Sequence, residues 1–214
     1  MELLIATENP GKKSEFQLLF ASLGAKFSFP SELGLQVGVL EDGTTYAENA
    51  RKKALAYMHA SGLPTLADDS GLEVDALNGA PGIRSARYTP GHDTDRSEAL
   101  LAQLRDVPWE QRTARFCCVI AIATSTEELF YAEGACEGLI AFEPVGQGGF
   151  GYDPVFYLPE HGCTMAQLPQ KEKNRISHRA RAAQAAMPIL RRLLAQDTSA
   201  RRQTRPPEVA ATSL

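Results

Sequence analysis

The sequence has no apolar run long enough to cross a membrane. A spanning helix needs about 20 consecutive apolar residues, whereas the N-terminal stretch MELLIATENP holds one short apolar run and no later stretch approaches that length. No basic residue precedes this run, so the stretch does not have the form of a signal peptide. We therefore expect a cytoplasmic protein.

Positive charge is also in short supply. The 22 basic residues are outnumbered by 26 acidic ones, which gives a net charge of −4. A protein that binds nucleic acid generally needs a broad basic surface for the phosphates. The charge argues against that class, but a small anionic ligand stays possible because one pocket needs only a few cations.

Zinc and disulfide patterns are missing as well. The histidines His59, His92 and His161 show no ligand-like spacing, so a zinc site is not expected. The cysteines have no C-x-x-C spacing and are predicted to be buried, reduced thiols. They are Cys117, Cys118, Cys136 and Cys163.

What the sequence does contain is an alternation of helical and extended patterns. Apolar residues recur at helical spacing from Tyr46 to Ser61, with Thr45 as a candidate N-cap and Gly62 as the stop. Other helices are predicted before Gly24, over residues 95–105 and from about residue 177, where Pro188 should kink or split the last one.

Apolar segments predict strands at residues 3–7 and 115–123, the second covered on both faces. Residues 63–88 are predicted to form short strands joined by turns, with an acidic pair at the first turn, and residues 128–140 a second strand pair. This alternation predicts an α/β protein with a mixed sheet, as a single domain over residues 1–195. Residues 196–214 lose the periodicity and are expected to form a disordered tail.

The turn after the first strand is a candidate phosphate site. Backbone N–H groups at a helix start attract phosphate, and an adjacent lysine adds a point charge. It is not a P-loop, because Ala6 stands where that motif needs glycine. The alternative is an ordinary Pro-Gly turn with a solvated lysine. The turn consists of Thr7, Glu8, Asn9, Pro10, Gly11 and Lys12.

Two adjacent acids, Asp68 and Asp69, stand before Ser70 and Gly71. Mg²⁺ takes one or two protein carboxylates and fills its shell with water and phosphate oxygens. One acid could instead accept the proton of an attacking water. An Asp-Ser-Gly turn without chemical function is the alternative.

Glu48 and Lys53 lie in the predicted second helix. Glu48 could supply another carboxylate to a metal, and Lys53 a phosphate contact. Residues Thr45 to Glu48 also have the form of a capping box, in which Glu48 would bond back to the backbone of Thr45. That reading would account for Glu48 without any catalytic function.

Residues 146–151, GQGGFG, formally match the dinucleotide fingerprint G-x-G-x-x-G. Tyr152-Asp153-Pro154 follows instead of a helix, so the fingerprint does not apply. A glycine loop beside Phe150 and Tyr152 would let a flat base stack on an aromatic ring. Asp153 could then hydrogen-bond to the ligand.

Basic residues gather where the last helix is predicted to begin. Cations at a helix N-terminus oppose the helix dipole unless an anion is bound among them. A solvated basic face is the alternative. The cluster comprises Lys171, Lys173, Arg175, His178 and Arg179.

Four blocks of the chain, in order, resemble the inosine triphosphate pyrophosphatase (Ham1-like) family. They are T-x-N-x-x-K-x-x-E (Thr7 to Glu15), E-N-A-x-x-K-A (Glu48 to Ala54), ADDSGLEVDALNGAPGIRSARY (Ala67 to Tyr88), and GGFGYDPVF (Gly148 to Phe156) with SHRARA from Ser177. The resemblance covers about residues 3–194. Glu8 departs from it, since glycine is usual there, and so does Glu98, where asparagine is common.

This resemblance implies Mg²⁺-dependent hydrolysis of dITP, ITP, XTP and dXTP to the monophosphate and pyrophosphate. It also implies an elongated α/β fold of two lobes, with a central mixed sheet flanked by helices and an active cleft between the lobes, and a homodimer. Asp69 would be the general base or a metal ligand, with Glu48 and Asp68 around Mg²⁺. The residues implied to bind substrate are Thr7, Glu8, Asn9, Pro10, Gly11, Lys12, Lys53, Ser70, Phe150, Gly151, Tyr152, Asp153, Lys173, His178 and Arg179.

Base specificity would follow from donors at the base edge. Arg179 can only donate hydrogen bonds, so it matches the 6-keto oxygen of hypoxanthine or xanthine and mismatches the 6-amino group of adenine. Two other functions stay open, a Maf-like pyrophosphatase of other nucleotides and a non-catalytic nucleotide sensor. The acidic pair argues against the sensor, because a pure binder of polyanions gains little from acids beside the phosphates.

Overall fold

The computed structural model describes residues 1–124 and 128–203. A seven-stranded mixed sheet with the strand order β2-β1-β3-β4-β5-β6-β7 runs through it. The strands are β1 (Glu2–Ile5), β2 (Lys26–Ser28), β3 (Thr65–Val74), β4 (Thr113–Ala123), β5 (Leu129–Ile140), β6 (Phe156–Leu158) and β7 (Cys163–Thr164). The helices are α1 (Pro10–Leu19), α2 (Tyr46–Ser61), α3 (Asp93–Gln103), α4 (Gln170–Ile176) and α5 (His178–Gln203). Within these ranges, no helix is long and apolar enough to cross a membrane.

Strands β3, β4 and β5 form a long antiparallel ladder, and the acidic pair lies in the middle of β3. Asp68 is opposite Ile120 and Asp69 is opposite Val119 in β4. The prediction of short strands with the acidic pair at a turn was therefore wrong. The segment is turn-like in isolation. It forms a strand here because it pairs with β4 along its whole length, while Lys12 and Arg179 neutralise the charge of Asp68. Residues 129–140 likewise form one strand, β5, rather than the predicted strand pair.

Three hydrophobic clusters divide the molecule into two lobes. At the β1 end, α1 and α5 cover one face of the sheet around Phe16 and Leu190, and α2 covers the other face around Ala54. At the opposite end, α3 packs with the far halves of β3 and β5 around Leu72 and Leu100. The predicted α/β class, with a mixed sheet flanked by helices, is confirmed.

Helix α2 has the bounds that the sequence predicts. The Thr45 side chain accepts a hydrogen bond from the Glu48 amide at 3.1 Å. Gly62 ends the helix in the left-handed region at φ 68°, which only glycine adopts without strain. Helix α3 begins at Asp93, slightly before the prediction, because the Asp95 carboxylate accepts from the His92 amide at 2.5 Å and caps the helix there.

Helix α5 is one continuous helix that includes Pro188, so the proline does not split it. Leu190 and Leu193, beyond the proline, stay buried in the lobe at the β1 end, called the first lobe below, and their packing stabilises the helix past the proline. The helix runs on to Gln203, past the predicted start of the tail; residues 204–214 lie outside the described residues. Of the four thiols, Cys118 and Cys136 are buried as predicted, whereas the other two are partly exposed.

Candidate active site

A cavity of about 400 Å³ lies between the two lobes, over the middle of β3 and β4. Most of the predicted site residues line it: Thr7, Glu8, Asn9, Lys12, Lys53, Asp69, Ser70, Phe150, Gly151, Tyr152, Asp153, Lys173, His178 and Arg179. Four predicted residues are not among its lining residues: Pro10, Gly11, Glu48 and Asp68. Residues that the sequence did not single out also contribute: Glu41, Tyr57, Ser85, Asp93, Arg96 and Phe116.

The N-terminus of α1 opens into this cavity. Asn9 caps the helix, since its side chain accepts a hydrogen bond from the Lys12 amide at 3.0 Å, and Pro10 occupies the first turn, where no intrahelical N–H bond is lost. Gly11 lies against the ring of Phe150; a Cβ at this position would lie 2.4 Å from the Phe150 Cδ1 atom. Pro10 and Gly11 therefore shape the helix start and seat the aromatic ring rather than line the cavity.

Asp68 is surrounded by cations beneath the cavity. Its carboxylate is 2.8 Å from the Lys12 Nζ atom and 3.5 Å from the Arg179 Nε atom. Lys53 donates to its carbonyl oxygen at 2.9 Å. Burial by itself would raise the pKa of Asp68, but Lys12, Arg179 and Lys53 lower it well below its usual range. Its side chain is 1% exposed and does not line the cavity, so Asp68 is a buried counter-ion, and its implied place near Mg²⁺ stays a prediction.

Asp69, the next residue, points to the other face of the strand and lines the cavity. Its Oδ2 accepts a hydrogen bond from Asn49 at 3.0 Å, and its Oδ1 one from the Ser70 amide at 3.0 Å. Burial raises the pKa of this carboxyl, and the nearby Glu41 carboxylate adds to the increase. The chemistry of the two neighbouring acids is thus separated by the alternation of the strand.

Glu48 is exposed and does not line the cavity. Its carboxylate accepts hydrogen bonds from the Thr44 amide at 2.6 Å and the Thr44 hydroxyl at 2.9 Å. The backbone of Thr45 also bonds to it, as the capping box predicts, and the metal-facing function stays a prediction. Among the described residues no group of three His, Cys, Asp or Glu side chains could hold a metal ion.

Glu41 is the acid that sequence reasoning missed on this side of the cavity. Its carboxylate is 2.9 Å from the Lys53 Nζ atom and 3.3 Å from Arg87. Burial would raise its pKa, but Lys53 and Arg87 lower it. Glu41 belongs to an irregular segment without periodicity, so no local signal distinguishes it from any other surface acid.

The glycine loop of residues 146–152, called the aromatic loop below for Phe150 and Tyr152, forms a second wall of the cavity. Asp153 accepts hydrogen bonds from the Phe150 amide at 2.9 Å and from Lys173 at 2.5 Å. The Tyr152 hydroxyl donates to the carbonyl of Ser85 at 2.9 Å. A 3-10 turn, Asp153–Val155, follows the loop rather than an α-helix, which agrees with the rejection of the dinucleotide fingerprint.

Glu15 is a buried carboxylate that joins the two main cations of the C-terminal region. It is 2.6 Å from Arg179 and 2.8 Å from Lys173, and its side chain is 4% exposed. Burial would raise the pKa of Glu15, but Arg179 and Lys173 lower it. Arg179 also donates to the Ser70 hydroxyl at 3.0 Å. Glu15 is the last residue of the T-x-N-x-x-K-x-x-E block. Its partners Lys173 and Arg179 lie far along the chain, so these contacts could not be predicted from the block.

His178 lies at the start of α5 and stacks on Phe116, with ring centroids 4.6 Å apart and an interplanar angle of 15°. Burial, followed by the nearby Arg179 and Lys173, lowers the pKa of the imidazole well below its usual range, so the ring is neutral at pH 7. Within the described part of the chain its Nδ1 atom is buried without a hydrogen-bond partner. A buried unpaired nitrogen at a cavity is a natural contact for a polar ligand edge.

The fold and this cleft define a class of protein: an α/β protein whose cleft carries lysines, a helix N-terminus and an aromatic loop. Lysines and a helix N-terminus suit a polyanion, and an aromatic loop suits a flat ring. The particular family follows from the sequence. The Ham1 family model matches residues 3–189, and the chain belongs to the Ham1 family.

Known relatives cover nearly the whole chain. The dITP/XTP pyrophosphatase of Desulforamulus reducens is 51% identical over 195 residues, which are 90% of this chain and 97% of that protein. The dITP/XTP pyrophosphatase of Geobacillus kaustophilus is 50% identical over 183 residues, which are 85% and 90%. The solved HAM1 protein from Coxiella burnetii is 40% identical with a TM-score of 0.80, covering 92% of this chain and 99% of that chain.

Proposed function

We propose that this protein hydrolyses non-canonical purine nucleoside triphosphates, such as dITP and XTP, to the monophosphate and pyrophosphate. The observation that carries the proposal is the pairing, in one cleft, of Lys12 and Lys53 beside a protonatable acid with an aromatic loop opposite. The names of the relatives from Desulforamulus reducens and Geobacillus kaustophilus support the substrate class.

The triphosphate would lie along the N-terminus of α1. Thr7 and Asn9 line the cavity at the start of this helix, and Lys12 and Lys53 add charge. The two lysines contact Asp68 and Glu41. The carboxylates of Asp68 and Glu41 hold the two lysines in place before substrate arrives. Phosphate oxygens would then share the lysines with these carboxylates or replace them.

Mg²⁺ fits this cleft with fewer protein ligands than the sequence suggested. Mg²⁺ is satisfied by one or two carboxylates together with water and phosphate oxygens. Glu41 lines the cavity beside Lys53 and would hold the ion, which leaves the Asp69 carboxylate to accept a proton. Asp68 and Glu48 do not line the cavity. When bound, the ion would neutralise charge on the phosphates.

Asp69 would act as the general base. A water attacks the α-phosphorus, the bond to the bridging oxygen breaks, pyrophosphate leaves, and the water's proton passes to the Asp69 carboxylate. The raised pKa of Asp69 suits proton acceptance better than the lowered pKa of Asp68. Asn49 and the Ser70 amide fix the carboxylate, so the base is oriented before the reaction.

The base would lie against the wall of Phe150 and Tyr152, within reach of His178 and Arg179, which line the same cavity. Arg179 already donates to Glu15 and Ser70, which fixes its guanidinium and leaves further N–H groups for a 6-keto oxygen. The unpaired Nδ1 atom of His178 adds a second polar contact. A buried mismatch of hydrogen bonds can discriminate by as much as about 10⁴- to 10⁵-fold, which is the basis proposed for rejecting adenine.

Two organisational features complete the proposal. The resemblance that implies the activity also implies a homodimer and a cytoplasmic location. Light scattering on the purified protein would test the homodimer. The catalytic unit would be one domain of residues 1–195. A chain truncated after residue 195 should keep full activity if the remaining residues take no part in the reaction.

The experiment is pyrophosphate release from dITP, XTP, dGTP and dATP with Mg²⁺ at mildly alkaline pH. We expect fast release from dITP and XTP and slow release from dGTP and dATP. Comparable rates on all four would favour a Maf-like enzyme of broader range. Binding of dITP without pyrophosphate release would favour a nucleotide sensor. Omitting Mg²⁺ from the dITP reaction should stop it, since the cleft would lose the ion that offsets the phosphate charge.

A further inference from the structure

Asp93, the first residue of α3, contacts the aromatic loop from outside the recognised motifs. Its Oδ2 accepts a hydrogen bond from the Gly151 amide at 2.6 Å. Its Oδ1 accepts one from Arg96, whose guanidinium also donates to the Gly91 carbonyl at 2.9 Å. Both side chains line the cavity. Asp93 and Arg96 therefore form a link between α3 and the wall that faces the phosphate site.

The cap of α3 does not require this carboxylate. Asp95, in the same first turn, accepts from the His92 amide at 2.5 Å and completes the capping box. Asp93 and Asp95 both stand in the first turn, where an acid interacts favourably with the helix dipole, so the dipole does not single out Asp93. The specific contribution of Asp93 is its contact with the Gly151 amide.

The peptide that Asp93 holds is at a critical point of the loop. Gly151 has φ 63°, in the left-handed region, and it separates Phe150 from Tyr152. Phe150 is anchored through its amide by Asp153, and Tyr152 through its hydroxyl by Ser85. A glycine without such an anchor has more backbone freedom than any other residue. The Asp93 contact removes that freedom between the two aromatic residues.

The Phe150 ring depends on this geometry. It lies against Gly11 at the start of α1, and the Lys173 Nζ atom is 4.8 Å from the ring centroid. The ring thus spans from the loop to the phosphate-binding helix. A small rotation of the Gly151 peptide would move the ring relative to both.

We propose that Asp93 is a positioning residue, which holds the Gly151 peptide so that Phe150 and Tyr152 present a fixed wall to the nucleotide base. The proposal rests on the proposed function only in taking the base as the group that this wall receives. Arg96 keeps the Asp93 carboxylate aimed at Gly151 from the opposite side. The charge of Asp93 agrees with this: burial would raise its pKa, but hydrogen bonds from Arg96 and the Gly151 amide lower it.

The test compares Asp93→Ala with Asp93→Asn and with the matched control Asp95→Ala in the full-length protein. Asp93→Ala should raise the KM for dITP about tenfold, the loss typical of a hydrogen bond to a charged group, and change kcat less than about twofold, because the wall contacts the base in the ground state and the transition state alike. Asp93→Asn keeps an acceptor oxygen and should recover most of the KM. Asp95→Ala removes the cap of α3 but keeps the contact of Asp93 with Gly151, so it should raise the KM less than Asp93→Ala does.

A second measurement does not depend on turnover. Amide hydrogen exchange of the segment around Gly151 should be faster in Asp93→Ala than in the wild type, and less affected in Asp95→Ala. If the wild type fails to hydrolyse dITP, the proposed function falls, while exchange still decides whether Asp93 holds the loop. Equal exchange and equal KM in Asp93→Ala and wild type would overturn the positioning function. Equal effects of Asp93→Ala and Asp95→Ala would assign them to the start of α3 instead.

Discussion

The buried carboxylate of Asp68 offers a quantitative test of the electrostatics of the cleft. Asp68→Asn keeps the size of the side chain but removes the charge that faces Lys12 at 2.8 Å and Arg179 at 3.5 Å. Breaking a buried ion pair by removing one partner costs about 3 to 5 kcal/mol. Arg179 keeps Glu15 as a partner, and Lys12 is partly exposed, so we expect the lower end, about 3 kcal/mol.

The assay is thermal and denaturant unfolding of the two proteins. For a chain of this size, 1 kcal/mol corresponds to about 2–4 °C in Tm, so Asp68→Asn should melt about 6–12 °C below the wild type. Tripolyphosphate should narrow the gap, because its oxygens supply the negative charge that the variant lacks. The exposed acid Asp106 gives the control, since Asp106→Asn makes the same chemical change at the surface and should leave Tm nearly unchanged.

The pH dependence of stability gives the sign of the same effect. The pKa of Asp68 is lowered in the folded protein, so its stabilisation is complete above the unfolded value of about 3.9 and is lost as the pH falls from there toward the folded pKa. The difference in unfolding free energy between wild type and Asp68→Asn should therefore shrink below about pH 4. A variant as stable as the wild type at pH 7, or a gap that tripolyphosphate widens, would refute the reasoning.

Three further predictions concern the general base Asp69, the ring of Phe150 and the hydrophobic core. Asp69→Asn should abolish pyrophosphate release without unfolding the protein. Because burial raises the pKa of Asp69, wild-type kcat/KM should fall on the acid side at a pH above the ordinary carboxyl range. A profile flat to about pH 4 would contradict the assignment of Asp69 as the general base. Gly11→Ala places a Cβ 2.4 Å from the Phe150 ring, so KM for dITP should rise while unfolding free energy changes by less than about 1 kcal/mol; an unchanged KM would show that the ring is not seated there. Leu190→Ala in the first lobe should cost about 2–5 kcal/mol in denaturant unfolding, and a loss near zero would mean that α5 does not depend on this contact.

Local patterns predicted the elements whose signals are complete within a few residues. Helix α2 shows this best, because its cap, apolar stripe and terminal glycine are all contiguous. The long strand β3 shows the opposite. The run Asp68 to Gly71 reads as a turn in isolation. In the fold it pairs with β4 at every residue, and Lys12 and Arg179, from distant parts of the chain, neutralise Asp68. Propensity within a short window cannot contain that interaction.

The site follows the same division. The phosphate turn, the aromatic loop and Asp69 line one cavity as the motifs implied. Glu48 and Glu41 show where prediction ends: the capping box accounted for Glu48, whereas no local pattern singled out Glu41. Glu48 caps its own helix, whereas Glu41 reaches the cavity beside Lys53. Only the path of the irregular segment between β2 and α2 decides which of the two acids faces the cleft.

The ladder of β3, β4 and β5 also sets a mechanical limit on the enzyme. β3 is paired with β4 without interruption from Thr65 to Val74, across the floor of the cavity and into both lobes. Swinging one lobe away from the other would break main-chain hydrogen bonds in the middle of this ladder. The shared ladder therefore resists separation of the two lobes. Opening the cleft by movement of segments at its rim would cost less than opening it by movement of the lobes, so we expect access to depend on those segments rather than on the sheet.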